Sequence, residues 1–79
     1  MRPENATKLR EIFGAVLNLP EGFAVSDMRQ DGLPSWDSLA HVTLIAAMES
    51  EFGISIDAGD TLGITSHDAA ARFLEGLAL

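Results

Sequence analysis

Apolar residues recur along this chain in three stripes. From Glu4 to Asn18, Leu9, Ile12, Phe13, Val16 and Leu17 stand at i, i+3, i+4, i+7 and i+8, the spacing that lines one face of an α-helix. Lys8, Arg10 and Glu11 fall off that stripe, so it predicts a helix laid against a core over about 4–18. Between 38 and 52, Leu39, Val42, Ile45, Met48 and Phe52 predict a second helix that buries those five side chains, with Ala46 adjoining them. A third helix, from 66 to about 77, carries Ala69, Ala70, Phe73, Leu74 and Leu77 on its core face.

The polar and breaking residues between the stripes mark where the helices start and stop. Asp37 is a good N-cap for the second helix, and Gly53 follows its last periodic residue, where a residue free to take positive φ ends a helix without strain. Thr65 or Ser66 caps the third. Asp57 begins one short turn through Leu62, curtailed by Gly59 and Gly63. Ile54 and Ile56 alternate around Ser55 over a run too short for a sheet, so they are expected to form an extended connector with two core anchors. Leu19 to Trp36, interrupted by Pro20, Gly22, Gly32 and Pro34, is expected to be a long loop anchored by Phe23, Val25, Met28 and Leu33. Together these elements predict an all-α fold: a small four-helix bundle, three main helices plus one short helix, with a long first loop and a single domain over 1–79.

Composition narrows the function classes. Seventy-nine residues, 47% of them hydrophobic, support one core but not a large enclosed active site. Twelve acidic against five basic residues give a net charge of −7, which disfavours nucleic acid as a partner and favours basic protein surfaces. With no cysteine there is no disulfide framework and no thiol, and with only His41 and His67 a histidine metal site is not expected. The segment after Asp57 lacks the alternating oxygen ligands of an EF-hand. No apolar stretch is long enough to span a bilayer, and the first residues enter a polar helical pattern without an apolar signal core. The expectation is a cytoplasmic monomer without membrane insertion.

The stretch Trp36-Asp37-Ser38-Leu39-Ala40-His41-Val42 holds the candidate chemistry. With Asp37 as cap, Ser38 falls at the first helical position, beside unpaired N–H groups and the positive end of the helix dipole, a place suited to a phosphate group. Ser38 and His41 at i and i+3 also suggest a nucleophile and base, but the sequence offers no orienting acid, oxyanion hole or substrate cleft to complete a hydrolase. Trp36 is either a partner contact beside Ser38 or the N′ member of a hydrophobic staple.

Asp37-Ser38-Leu39 resembles the attachment signature of the acyl carrier protein family, which opens the second helix of a small acidic bundle. The similarity continues without a gap through Met48-Glu49-Ser50-Glu51-Phe52-Gly53-Ile54-Ser55-Ile56 to Ile64-Thr65-Ser66. The resemblance implies that Ser38 carries 4′-phosphopantetheine derived from coenzyme A, with Asp37 and Leu39 flanking it. Such a chain is not itself an enzyme: it holds acyl or aminoacyl groups as thioesters and delivers them to pathway enzymes, the sulfur arriving on the prosthetic group. Implied partners are a phosphopantetheinyl transferase, an acyl- or aminoacyl-loading ligase or transferase, and downstream biosynthetic enzymes. Trp36, Ala40, His41, Thr43 and Glu49 are the residues expected to meet them.

Ala40 and Thr43 stand where fatty-acid carriers usually have acids, which points to a specialised stand-alone carrier for an aminoacyl, hydroxyacyl or polyketide unit. The alanines of the second and last helices, Ala46, Ala47, Ala69, Ala70 and Ala71, allow either close helix packing or an apolar slot for an acyl chain. The competing class is a non-enzymatic interaction domain in which Asp37-Ser38 is only a helix start.

Overall fold

In the computed structural model, which describes residues 1–79, the chain forms α1 (Pro3–Val16), α2 (Ser38–Phe52), α3 (Ala58–Gly63) and α4 (His67–Gly76), with two 3₁₀ turns, Val25–Asp27 and Gln30–Gly32, in the long first connection. This is the expected all-α bundle of three main helices and one short one. The only β pairing is a single antiparallel bridge between Arg29 and Ser66. No helix is long and apolar enough to cross a membrane.

Local chemistry sets the ends. Pro3 occupies the first turn of α1, where its missing N–H costs nothing, and Glu4 follows at the positive end of the dipole. The helix stops two residues before the expected Asn18 because Asn18 itself turns left-handed, at φ 54°, and the Leu19 N–H reaches back to the Gly14 carbonyl at 2.9 Å. Gly53, at φ 63°, ends α2 as its sequence position predicts. Ser66, not Thr65, caps α4, its Oγ accepting from the Ala69 N–H at 2.9 Å. At the far end Ala78 takes φ 64° and the Leu79 N–H bonds to Leu74 O, so the helix finishes at Gly76 and Leu77 lies outside it, 46% exposed rather than in the core.

Helix α1 is the central member, packing on α2 and α4. It contributes Leu9, Ile12 and Phe13, with Leu17 just past its end, to one cluster with Leu44, Ile45 and Met48 of α2 and Ala70 and Leu74 of α4, completed by Met28, Trp36, Ile56 and Ile64 from the connections. The face of α2 differs from the expected one. Leu39 and Val42 are 75% and 65% exposed, while Leu44 is fully buried. The helix is apolar on several sides, and α1 covers the side that bears Leu44, Ile45 and Met48, leaving Leu39 and Val42 facing outward.

The first loop is tied down over its second half. The Gln30 N–H donates to Thr65 O and the His67 N–H to Met28 O, both at 2.9 Å, which fixes Met28 under the start of α4. Phe23 and Leu33 are half-buried against the core, but Val25, an expected anchor, is exposed on its 3₁₀ turn.

His67 has an unusual setting. Its ring meets Phe13 edge-on, centroids 5.2 Å apart, and its Nε2 is buried without a hydrogen-bond partner. Burial, with Arg10 nearby, holds its pKa below the ordinary value of 6.5, although Asp68 opposes the shift. A histidine harder to protonate when folded contributes stability that is present above its unfolded pKa and declines as pH falls from about 6.5 toward the lower folded value. His67→Leu is therefore expected to flatten this part of the stability profile, so that the variant gains on the parent between pH 7.5 and pH 5.5 in paired denaturant titrations. A stability difference between the two proteins that does not change with pH would contradict the assignment.

Candidate functional site

The start of α2 is built from Trp36 to His41. Asp37 is extended, at φ −90° and ψ −174°, and its Oδ1 accepts from the Ala40 N–H at 2.8 Å, while its carbonyl takes the His41 N–H at 2.9 Å. That leaves the amides of Ser38 and Leu39 with no acceptor in the protein, as the geometry of a helix start requires. Ser38 is exposed, and the first turn of α2 contains no acidic residue. An exposed hydroxyl, two free N–H donors and the positive end of a 15-residue helix come together at one point. Such a donor set fits a phosphodiester on Ser38.

Capping gives Asp37 a separable structural task. Asp37→Ala is expected to cost about 1 kcal/mol of stability and Asp37→Asn a small fraction of that, because the amide oxygen can still accept from Ala40. Equal losses in the two variants, measured by thermal unfolding, would show that the Ala40 bond is not what the side chain contributes.

Trp36 and His41 are not where a surface reading puts them. Trp36 is 3% exposed, its ring edge-on to Phe13 at 5.5 Å between centroids, so it is a core residue with almost no surface to offer a partner. It is the N′ residue of a staple, and the N4 residue it meets is His41. The Trp36 Nε1–H donates to His41 Nδ1 at 3.0 Å, with the rings stacked 6.0 Å apart. The other ring nitrogen, Nε2, lies 2.9 Å from the Thr61 carbonyl in α3. Neither nitrogen is left to act as a base for Ser38.

Glu49, also expected on a partner surface, instead turns inward. Its Oε2 accepts the Ile56 N–H at 2.8 Å and fastens the chain that leaves α2. Ala40 is half-buried against the core, and Thr43 is exposed with its hydroxyl bonded to Leu39 O. Of the five expected partner residues, Thr43 is thus the one fully at the surface. The exposed large apolar side chains in this region are others: Leu39 and Val42 on α2, and Leu62, 80% exposed, next to the Thr61 that His41 holds. The exposure of Leu39 and Val42 was hidden because an apolar residue in a helical pattern reads as core, and Leu62 was read only as the end of the short turn after Asp57.

A cleft of about 770 Å³ lies elsewhere, between the 3₁₀ turns and the start of α4, and is lined by Met28, Arg29, Ser66 and His67 among others but by none of the residues from Trp36 to His41. None of the five alanines that suggested an acyl slot lines it either. No cluster of three or more His, Cys, Asp or Glu side chains capable of holding a metal occurs. Comparison with family models, with curated proteins and with solved structures gives no match.

Proposed function

We propose that the chain is a carrier domain that holds acyl or aminoacyl groups as thioesters on 4′-phosphopantetheine attached to Ser38. The observation that carries this reading is the exposed Ser38 hydroxyl at the first position of α2, with unpaired amides around it and Asp37 engaged as the cap. The resemblance of Asp37-Ser38-Leu39 and the following residues to the acyl carrier family supports it. The group itself supplies the thiol that forms the thioester. The protein's own contribution is to present one hydroxyl to a transferase, to surround the phosphate with N–H donors, and to keep acidic side chains other than Asp37 out of that turn. Leu39, Val42 and Leu62 form the apolar surface that the transferase, loading enzymes and downstream enzymes would meet beside the arm. Acidity elsewhere favours basic faces on those partners.

A chain without cysteine makes the test simple. After incubation with coenzyme A and a broad-specificity phosphopantetheinyl transferase, and removal of the free coenzyme, one reactive thiol per chain is expected. No thiol, or an equal signal from Ser38→Ala, would overturn the proposal. The other class, an interaction domain without a prosthetic group, predicts no thiol under any of these conditions.

A further inference from the structure

Helix α3 is the least embedded of the four α-helices. None of its six residues is buried, and the only side-chain hydrogen bond reaching it from another helix is the one from His41 to the Thr61 carbonyl. Its remaining support comes from its own cap, Asp57 Oδ1 accepting from the Asp60 N–H at 2.8 Å, and from the flanking anchors Ile56 and Ile64.

The chemistry of the two contacts fixes the state of the imidazole. A carbonyl can only accept, so Nε2 carries the hydrogen toward Thr61; an indole N–H can only donate, so Nδ1 is the bare nitrogen facing Trp36. One tautomer satisfies both bonds, and the other breaks both. In the chain, Trp36 and His41 stand on either side of Ser38, and the bond between their rings closes over the first turn of α2. The indole is in turn fixed by Phe13, so the staple joins a rigid core to a loosely held helix.

We propose that His41 couples the placement of α3 to the presentation of Ser38: the imidazole holds α3 against the start of α2, and displacing α3 loosens the staple that sets the first turn. The functional half of this statement rests on the reading of Ser38 as the attachment site. His41 is a positioning residue there, since its ring nitrogens are occupied by Trp36 and Thr61. A loosened turn spends part of its time in arrangements that a transferase cannot engage, and the apparent affinity falls by that fraction while the chemical step, once engaged, is unchanged.

The test uses the whole chain, with His41→Phe, which keeps a stacked ring but loses both bonds, and Asp57→Ala, which uncaps α3 without touching α2. In the parent, nitrogen chemical shifts are expected to report His41 as the Nε2–H tautomer. Asp57→Ala should speed hydrogen exchange at the Ala40 amide and the Trp36 indole, by about tenfold if α3 opens locally. In a His41→Phe background, the same uncapping should have no further effect at Ala40. Transferase kinetics should show KM raised about three- to tenfold in either single variant, kcat unchanged, and no additional rise in the double variant. The Nδ1–H tautomer, Ala40 exchange indifferent to Asp57→Ala, or independent effects of the two substitutions would each overturn the coupling. If His41→Phe does not fold, the tautomer and the Asp57→Ala exchange in the otherwise intact chain decide the matter. Should Ser38 accept no group from the transferase, the carrier reading fails by itself, and the exchange measurements still judge the coupling.

Discussion

Phe13→Ala is expected to abolish cooperative thermal unfolding or to lower its midpoint by roughly 15–30 °C, on the basis that truncating a core phenylalanine costs about 3–5 kcal/mol and that each kcal/mol moves a domain of this size by about 4–8 °C. The reason lies in its position. Phe13 has no exposed surface, sits on the helix that contacts both other long helices, and takes edge-on contacts from Trp36 at 5.5 Å and His67 at 5.2 Å. Removing the ring opens a cavity at the junction of α1, the start of α2 and the start of α4, and it leaves two aromatic neighbours unsupported. A domain of this size has about 4–12 kcal/mol in total, so the loss approaches the whole of it at the lower end. Phe13→Leu, which keeps most of the volume, should retain a cooperative transition. If Phe13→Ala melts within a few degrees of the parent by circular dichroism, the described core is not the one that holds the bundle together.

Glu49→Ala should be the most damaging change among the polar residues, costing about 1.5–3 kcal/mol, the range for a hydrogen bond made to a charged group. The carboxylate accepts the Ile56 N–H at 2.8 Å, and Ile56 is buried, so the truncated variant leaves a backbone donor unpaired beside the core. The Glu49 carbonyl also receives the N–H groups of Gly53 and Ile54 as α2 ends, so side chain and backbone of one residue together turn the chain toward α3. Glu49→Gln keeps an oxygen acceptor and should recover more than half of the loss. Denaturant titration of the three proteins checks this. Parent-like stability in Glu49→Ala would return Glu49 to the solvent-facing role its sequence position suggested.

The contrast between Asp37 and Glu49 shows which part of this molecule could be read in advance. Asp37 and Gly53 act within four residues of themselves, through a cap and a left-handed stop, and such local rules are visible in sequence. Glu49 and His41 act on Ile56 and Thr61, seven and twenty residues away, pairings that exist only once the chain has folded. Periodicity identified α2 but not its orientation, because apolar side chains at Leu39, Val42, Leu44, Ile45 and Met48 cover more than one face, and contact with α1 decides which are buried. In α1, where charged residues flank a single stripe, the same reasoning found Leu9, Ile12, Phe13 and Leu17, all buried, with Val16 half-buried beside them; it missed the buried Asn5. The two 3₁₀ turns of the first loop are three residues each, too short to leave a periodic trace. At the site, the place of Ser38 followed from the cap before it, whereas the Trp36 and His41 clamp required knowing that Phe13 and Thr61 lie on its two sides.

Attachment of a prosthetic group at Ser38, as proposed above, is read out by intact-protein mass spectrometry. The chain is incubated with coenzyme A and a broad-specificity phosphopantetheinyl transferase, beside Ser38→Ala and Asp37→Asn. The expected result is a single added phosphopantetheinyl mass on the parent and none on Ser38→Ala. Asp37→Asn, which retains the cap, separates recognition by the transferase from folding. A parent that gains no mass, or a Ser38→Ala variant that gains it, would show that Ser38 is not an attachment point.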